Sequence, residues 1–190
     1  MKKGLLIILS GPSGVGKGTI RRYIMDHYKI NLSYSISMTT RPQREKEVEG
    51  VDYYFVSDEE FDRNIKENNF LEWEEFVGHR YGTPKDKVEQ LRNQGKNVLL
   101  EIEVNGASEV MSKVNDDRVI SFFLMPPNLQ ALESRIRRRK TESEDVIQAR
   151  LTKGISEMDK TSQYDHVILN DDVARASQEI VDLIRKKSKQ

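Results

Sequence analysis

The stretch Leu5-Leu6-Ile7-Ile8-Leu9-Ser10-Gly11-Pro12-Ser13-Gly14-Val15-Gly16-Lys17 decides the fold of this chain. Its first five residues form an unbroken apolar run, which is typical of a strand buried on both faces of a parallel sheet. A glycine-rich turn follows, and a helical pattern begins at Lys17. The backbone N–H groups of such a turn can surround an anion, and Lys17 can reach the terminal phosphates of a nucleotide. We therefore predict a phosphate-binding loop; the alternative is an ordinary glycine-rich turn with a solvated lysine.

The residue after Lys17 departs from the usual pattern of such loops. Ser or Thr normally stands there and ligates Mg²⁺, whereas this chain has Gly18 followed by Thr19. Because Mg²⁺ readily keeps several water ligands, we expect nucleotide phosphates and water to hold most of the metal. The loop residues expected to bind the nucleotide are Gly11, Pro12, Ser13, Gly14, Val15, Gly16, Lys17, Gly18 and Thr19.

The composition excludes several classes of protein. The 190 residues include 31 Lys and Arg and 31 Asp and Glu, and this balance argues against a basic surface for duplex nucleic acid. The absence of cysteine excludes disulfides, cysteine-ligated metals and a cysteine nucleophile, and it fits a reducing cytosol. The longest apolar run, Leu5–Leu9, is far below the roughly 20 residues that span a bilayer. We expect one soluble cytoplasmic domain with no nucleic-acid or membrane partner, and the scattered histidines predict no metal site.

Apolar runs alternate with amphipathic segments along most of the chain, which indicates crossover units and a parallel sheet with helices on its faces. Further strands are predicted over 97–102, 118–124 and 166–169. Helices are predicted over 17–29, 84–93, 107–114, 129–138, 144–159 and 173–187. The segment from about 34 to 81 differs, with short strands predicted over 34–38, 53–56 and 70–77. Its one helix is expected to begin after Ser57, where Glu60 completes a capping box. We predict an α/β fold with an inserted small β-rich subdomain.

The inserted segment carries a second group of phosphate-binding side chains. Arg41 and Arg44 lie three residues apart in a polar loop, and Tyr53 and Tyr81 are available beside them. Two phosphate sites suggest transfer of a phosphoryl group between two nucleotides. Taken singly, Arg41 could be a surface charge of the loop, and the tyrosines could serve ordinary packing.

At these residues the sequence resembles the guanylate kinase family, from Leu5 to about Ile184. The resemblance rests, in chain order, on the phosphate loop, Ser35-Ile36-Ser37-Met38-Thr39-Thr40-Arg41-Pro42-Gln43-Arg44, Phe70-Leu71-Glu72-Trp73, Tyr81-Gly82-Thr83, Leu100-Glu101-Ile102-Glu103 and Leu169-Asn170-Asp171-Asp172. It implies the fold of a P-loop nucleoside monophosphate kinase, with a core over about 1–34, 82–136 and 151–190, a GMP-binding insert over about 35–81 and a lid over about 137–150. It also implies an activity, the phosphorylation of GMP or dGMP by ATP in purine nucleotide metabolism and GMP recycling.

The resemblance assigns the acceptor site. It implies that the phosphate of GMP is held by Arg41, Arg44, Tyr53 and Tyr81, and that the guanine is surrounded by Ser37, Glu72, Thr83 and Glu103. A carboxylate such as Glu72 suits guanine, because N1–H and the exocyclic amine are adjacent donors that adenine lacks. Without the resemblance, Glu72 could equally be a strand carboxylate that faces water beside Glu74 and Glu75. In the loop before this site, Lys46 stands where the family usually has Gly.

A basic segment, Arg135-Ile136-Arg137-Arg138-Arg139-Lys140, ends one of the predicted helices. By itself it could be a nucleic-acid patch or a helix C-terminus favoured by the helix dipole. The resemblance instead implies the start of a lid over ATP, with Arg135, Arg139 and Arg150 at the matching positions. It also implies that Asn170 lies beside the adenine of ATP. Lys140 is a second position where the family usually has Gly.

The resemblance implies direct phosphoryl transfer, with no covalent intermediate and no general base. With ATP as co-substrate and Mg²⁺, the residues expected to position and neutralise the transferred group are Lys17, Arg41, Arg44, Arg139 and Arg150. Glu101 and Glu103 end a predicted strand where such folds keep a metal-organising carboxylate, and the family commonly has Asp at both. Two other functions stay open at this point: a guanylate-kinase-like module that binds peptides without catalysis, and a P-loop kinase for another phosphorylated acceptor. The family includes monomers and closed oligomers, which leaves a homo-oligomer open.

The zero net charge conceals two regions of opposite sign. Residues 52–76 hold nine acidic and two basic residues, whereas residues 134–153 hold seven basic and three acidic residues. The acidic region coincides with the expected guanine site, and the basic region with the expected lid. The sequence therefore predicts that charge is concentrated where two phosphorylated ligands meet.

Overall fold

A computed structural model describes residues 2–138 and 143–190. Along the chain the elements are β1 (Leu6–Ser10), α1 (Lys17–His27), β2 (Leu32–Tyr34), β3 (Met38–Thr39), β4 (Tyr54–Phe55), α2 (Asp58–Lys66), β5 (Phe70–Phe76), β6 (His79–Pro84), α3 (Lys85–Asn93), β7 (Asn97–Glu101), α4 (Val104–Lys113), β8 (Val119–Met125), α5 (Leu129–Arg137), α6 (Glu144–Met158), β9 (His166–Leu169) and α7 (Val173–Lys189). The central sheet has the strand order β2-β7-β1-β8-β9, and all of its pairs are parallel. The predicted α/β class with a parallel sheet flanked by helices is confirmed.

Strand β1 is buried throughout because helices cover both faces of the sheet. Its side chains alternate between two apolar clusters, as the two-residue period of a strand requires. Ile7 packs with α1 and α7 on one face, and Ile8 packs with α3 and α4 on the other. Because β1 is the middle strand of this sheet, the loop that follows it lies at the centre of the edge formed by the carboxyl ends of the strands.

A second, four-stranded sheet has the order β4-β3-β6-β5 and lies in the inserted segment. Its small core consists of Met38, Phe61 and Phe70, with Phe61 supplied by helix α2. The predicted capping box is confirmed, because the Ser57 hydroxyl accepts a hydrogen bond of 3.1 Å from the backbone N–H of Glu60. The second sheet thus has a small core of its own, while Leu71 of β5 packs into the central cluster with Ile8 and Val104.

The structure corrects two parts of the predicted element order. The strand predicted over 34–38 is wrong: residues 32–34 form the edge strand β2 of the central sheet, and β3 of the second sheet begins at Met38. Strand β2 gives no apolar signal because it is three half-buried residues long. Strand β6 was not predicted, since its polar sequence His-Arg-Tyr-Gly-Thr-Pro forms a strand by pairing with β5 on one side and β3 on the other.

Helices α5 and α6 pack on each other through Leu132, Ile136 and Ile147. The segment that joins them includes residues 139–142, which lie outside the described residues. The predicted roles of Arg139 and Lys140 fall there. Among the described ranges, no helix combines the length and the apolar character needed to cross a bilayer.

Candidate active site

The phosphate loop has a backbone that depends on glycine. Gly11 has φ of 144°, and a Cβ atom there would lie 2.6 Å from the backbone oxygen of Leu124. Gly14 has φ of 85°, and a Cβ atom there would lie 2.8 Å from Cγ1 of Ile136 on α5. Any side chain at these positions would therefore force the loop away from β8 and α5. The loop is built to turn tightly over the start of α1.

The side chain of Lys17 folds back over its own loop. It is 9% exposed, and its Nζ donates to the carbonyl oxygen of Gly11 at 2.7 Å and to that of Pro12 at 3.5 Å. The same ammonium group lies 3.7 Å from Oε1 of Glu103. The cation is thus held at the mouth of the loop, which is inconsistent with the alternative of a solvated surface lysine.

A cavity of about 600 Å³ lies over the loop. The predicted donor-site residues Arg135 and Asn170 both line it, and both bind the loop. Arg135 Nη1 donates to the carbonyl oxygen of Val15 at 2.9 Å, and Asn170 Nδ2 donates to the same oxygen at 2.8 Å. Asn170 is 3% exposed, and its Oδ1 is buried with no hydrogen-bond partner among the described residues. The volume suits a nucleotide, and Oδ1 is an acceptor left over for one.

The carboxylate of Glu101 lies beside Gly18. A Cβ atom at Gly18 would be 3.3 Å from Glu101 Oε1, so the missing side chain leaves room for this carboxylate at the loop. Arg21 Nε donates to Glu101 Oε2 at 2.7 Å, and the guanidinium of Arg21 lies 4.3 Å from the ring centre of Tyr34. Burial, followed by the charge of Glu101, raises the pKa of Tyr34 to about 12. Oε1 of Glu101 is therefore the oxygen that faces the loop.

A smaller cavity of about 150 Å³ lies between the central sheet and the second sheet. Of the predicted guanine-site residues, Ser37, Glu72 and Glu103 line it directly. Lys17, Glu101 and Glu103 line both cavities. The two cavities therefore meet at the loop lysine, which is the arrangement that transfer between two ligands requires.

Glu72 is the most strongly perturbed carboxyl group of this smaller cavity. It is 8% exposed and accepts a hydrogen bond of 2.5 Å from the hydroxyl of Thr83. Burial raises the pKa of Glu72 to about 7, an effect that the Thr83 hydrogen bond opposes. Behind it, Gly106 leaves only enough space for the carboxylate, since a Cβ atom there would lie 3.1 Å from Oε2. The alternative of a strand carboxylate facing water is therefore wrong for Glu72; exposed Glu75 fits that description.

The two predicted acceptor arginines differ in their partners. Arg41 makes a bidentate pair with Glu47 at 2.7 and 3.0 Å, and its guanidinium lies 5.4 Å from the ring centre of Tyr53. The ring of Tyr53 contacts that of Tyr81 edge-on at 6.0 Å. Among the described residues, the exposed guanidinium of Arg44 has no hydrogen-bond or ion-pair partner, and neither arginine lines the two cavities. The structure thus groups Arg41, Tyr53 and Tyr81 and leaves Arg44 open to an anion.

Lys46, where the family usually has Gly, lies in a turn closed by a hydrogen bond. Within residues 2–138 and 143–190, positive φ outside glycine occurs at Asn31, Asn68 and Val77 and not at Lys46. The carboxylate of Glu47 also accepts the backbone N–H of Arg44 at 2.9 Å, which closes the turn around Lys46. Glycine is therefore not required at this position.

Helix α6 contacts the phosphate loop directly. Arg150 Nη2 donates to the Ser13 hydroxyl at 2.5 Å. One turn later, a Cβ atom at Gly154 would lie 3.3 Å from Cβ of Pro12, so the helix is seated closely on the loop. Arg150 therefore binds Ser13, one of the residues that line the larger cavity.

Sequence reasoning missed three residues that shape the site. Arg21 lies on α1 one turn after Lys17, and that spacing is the signal that could have placed it beside the loop. Gly106 is a glycine inside a helix, a position that usually has a packing reason. For Lys153 the available signal was the i,i+4 spacing to Glu157, whereas its second partner, Glu103, precedes α4 and is distant in sequence.

Comparison with known proteins identifies the family. The sequence model of the guanylate kinase family matches residues 3–187. A guanylate kinase of Mesoplasma florum is 52% identical over 186 residues, covering 97% of this chain and 62% of that protein. A guanylate kinase of Enterococcus faecalis is 50% identical over 183 residues, covering 96% of this chain and 89% of that protein. This chain spans about six-tenths of the length of the Mesoplasma florum protein and of two Mycoplasma relatives of similar identity.

The fold agrees with that of a solved family member. The crystal structure of guanylate kinase from Anaplasma phagocytophilum superimposes with a TM-score of 0.75 at 32% identity, covering 100% of this chain and 89% of the other. The match by sequence extends over both cavities and over the elements that build them. This chain therefore belongs to the guanylate kinase family.

Proposed function

We propose that this protein transfers the γ-phosphoryl group of ATP to the phosphate of GMP or dGMP, giving ADP and GDP or dGDP. The observation that supports this most is the junction of the two cavities at Lys17, with a phosphate loop on one side and a buried carboxylate on the other. A cytosolic place in purine nucleotide metabolism and GMP recycling is part of the same proposal.

The guanine would be recognised by Glu72. Its two oxygens can accept from N1–H and from the exocyclic amine, and the Thr83 hydroxyl fixes the orientation of the carboxylate. Ser37 and Glu103 supply further polar atoms on the walls of the same cavity. Adenine would leave a buried carboxylate unpaired, which is strongly unfavourable. This cavity thus favours guanine through hydrogen bonding rather than through size.

The phosphate of the acceptor would be held by Arg41, Arg44, Tyr53 and Tyr81. Glu47 keeps Arg41 in one orientation before the ligand arrives, while the guanidinium of Arg44 is free to pair with the phosphate. Neither arginine lines a cavity in this structure, so we propose that an insert over about 35–81 closes toward the core when the acceptor binds. We also propose that a lid over about 137–150 closes over ATP.

Mg²⁺ fits the chemistry of the donor site. Glu101 presents Oε1 beside Gly18, and a carboxylate oxygen is a hard ligand of the kind that Mg²⁺ prefers. Glu101, nucleotide phosphates and water would hold the ion, and Arg21 would keep the carboxylate in place. Mg²⁺ bound to the phosphates would neutralise part of their charge.

The protein's contribution to the reaction would be positioning and charge compensation. Lys17 lies between the two cavities, where the transferred group would pass. Arg150 lies at the phosphate loop, and Arg139, outside the described residues, is proposed to join it from the lid. Phosphoryl transfer needs little covalent help from a protein, so no covalent intermediate and no general base are proposed.

An assay with single acceptors tests the proposal. ATP and Mg²⁺ are supplied with GMP, AMP, CMP or UMP in separate reactions, and formation of ADP is followed. We expect rapid turnover in the reaction that contains GMP and little or none with the other three acceptors. Preference for another acceptor would favour a P-loop kinase of different specificity, and no turnover with any acceptor would favour a non-catalytic binding module.

A further inference from the structure

Lys153 lies between two carboxylates, next to the smaller cavity. Its ammonium nitrogen lies 3.8 Å from Oε2 of Glu103 and 3.7 Å from Oε1 of Glu157. It projects from α6 one turn after Arg150, and its side chain is 54% exposed. Glu103 in turn lies 3.7 Å from Lys17 through its other oxygen. Two lysines therefore flank Glu103, one on the phosphate loop and one on α6.

Glu157 is a buried carboxylate that the proposed reaction does not use. It is 4% exposed, and neither of its oxygens has a hydrogen-bond partner among the described residues. Burial raises the pKa of Glu157, with Glu103 acting in the same direction and with Lys153 and Lys17 opposing it. Tyr164 lies close enough for its own pKa to be affected by Glu157. A buried charge with no hydrogen bond depends on nearby cations, and Lys153 is the cation on its own helix face.

The smaller cavity, where the acceptor nucleotide would bind, is lined by acidic side chains. Four carboxylates line the smaller cavity, those of Glu72, Glu74, Glu101 and Glu103, and the only lysine among its described lining residues is Lys17. A nucleoside monophosphate carries nearly two negative charges near neutral pH, so uncompensated carboxylates would repel it. Without Lys153, Lys17 would be the remaining ion-pair partner of Glu103 among the described residues. It would then be drawn toward Glu103, away from the phosphates.

We propose that Lys153 is a positioning residue for the acceptor nucleotide, which balances the charge of Glu103 and Glu157 so that an anionic acceptor can enter and Lys17 stays available to phosphate. This inference rests on the proposed function of the same site. Lys153 needs no contact with the reacting atoms in this role, because its effect is carried by the electric field at the cavity and by the orientation of Glu103.

The first test is the variant Lys153→Gln, which removes the charge and keeps most of the side chain. We expect the KM for GMP to rise about three- to tenfold with kcat changed less than about twofold, and Lys153→Arg to restore the KM. The rise should shrink when KCl is increased from about 0.05 M to about 0.5 M, because salt screens exposed charges. Lys160→Gln is the matched control, since Lys160 bonds Asn105 at 2.8 Å outside the two cavities and should leave the KM unchanged.

The second test restores the charge balance in a different way. Adding Glu157→Gln to the Lys153→Gln variant removes one negative charge, and the KM for GMP should return to within about twofold of the wild type. A Lys153→Gln protein with lowered thermal stability and an unchanged KM would show a purely structural role and overturn the inference. A double variant whose KM for GMP stays at the raised value of Lys153→Gln would also overturn it. A wild type that phosphorylates no GMP would overturn the proposed function itself, whereas an active wild type with an insensitive Lys153 would overturn this inference alone.

Discussion

The variant Glu72→Gln should make the protein more stable and less active at the same time. Glu72 is 8% exposed, and burial raises its pKa to about 7 from an ordinary value near 4.5. A shift of this size corresponds to about 3 kcal/mol of unfavourable free energy for the ionised form in the folded protein. Gln has nearly the same shape and can still accept the hydrogen bond from Thr83 through its amide oxygen. The variant therefore removes the charge while keeping the packing.

The pH dependence follows from the direction of the pKa shift. The unfolded chain releases this proton near its ordinary pKa, whereas the folded protein keeps it up to about pH 7. Raising the pH between these values favours the unfolded state, and above pH 7 the whole destabilisation is present. At about pH 8 we expect Glu72→Gln to be more stable than the wild type by about 1–3 kcal/mol, or roughly 3–10 °C in Tm. Near pH 4.5 the difference should vanish.

The activity of the same variant should change in the opposite direction. Loss of a charge-assisted pair to guanine should lower kcat/KM for GMP about 100- to 1000-fold. Thermal unfolding at several pH values and a coupled kinase assay measure the two effects separately. Glu75→Gln, at an exposed position of the same strand, is the control and should change neither. A stability difference that does not depend on pH would refute the burial argument, and unchanged use of GMP would refute the role of the carboxylate in reading guanine.

Three further substitutions test the other parts of the site. Lys17→Ala should lower turnover at least about 1000-fold without changing the thermal midpoint appreciably, and retained activity would remove Lys17 from the reaction. Arg44→Ala should raise the KM for GMP about tenfold and leave the KM for ATP unchanged; equal effects on both would mean that Arg44 does not hold the acceptor phosphate. Gly106→Ala should place a Cβ atom 3.1 Å from Oε2 of Glu72 and displace the carboxylate. Discrimination between GMP and AMP should then fall about tenfold, and undiminished discrimination would show that Glu72 tolerates the contact.

Local signals in the sequence predicted much of the central sheet. The apolar run at Leu5–Leu9 predicted β1, and the capping box at Ser57 predicted the start of α2, because both depend on residues adjacent in the chain. Strands β2 and β6 were not predicted, because neither has an apolar pattern of its own. Strand β2 pairs with the distant β7, and β6 pairs with the distant β3 as well as with the adjacent β5. Predictions made from local pattern thus failed where the structure depends on long-range pairing.

Parts of the candidate site were also visible before the fold. The glycine spacing and Lys17 identified the phosphate loop, because a tight anion-binding turn restricts its residues to types that can adopt its backbone. Glu72 and Glu75 belong to the same acidic stretch of one strand, and nothing in the sequence showed which of the two carboxyl groups is buried. Only the packing of Gly106 and Thr83 around it separates them.

The sequence by itself determined the alternation of strands and helices and the loop that follows β1, because periodicity and backbone freedom are properties of neighbouring residues. The tertiary structure alone decided that the two cavities meet at Lys17, that Glu72 is buried with a raised pKa, and that Lys153 stands between Glu103 and Glu157. Burial and electrostatic interaction depend on atoms brought together from distant parts of the chain. No local pattern records that arrangement, and it is the arrangement that joins the two cavities into one candidate active site.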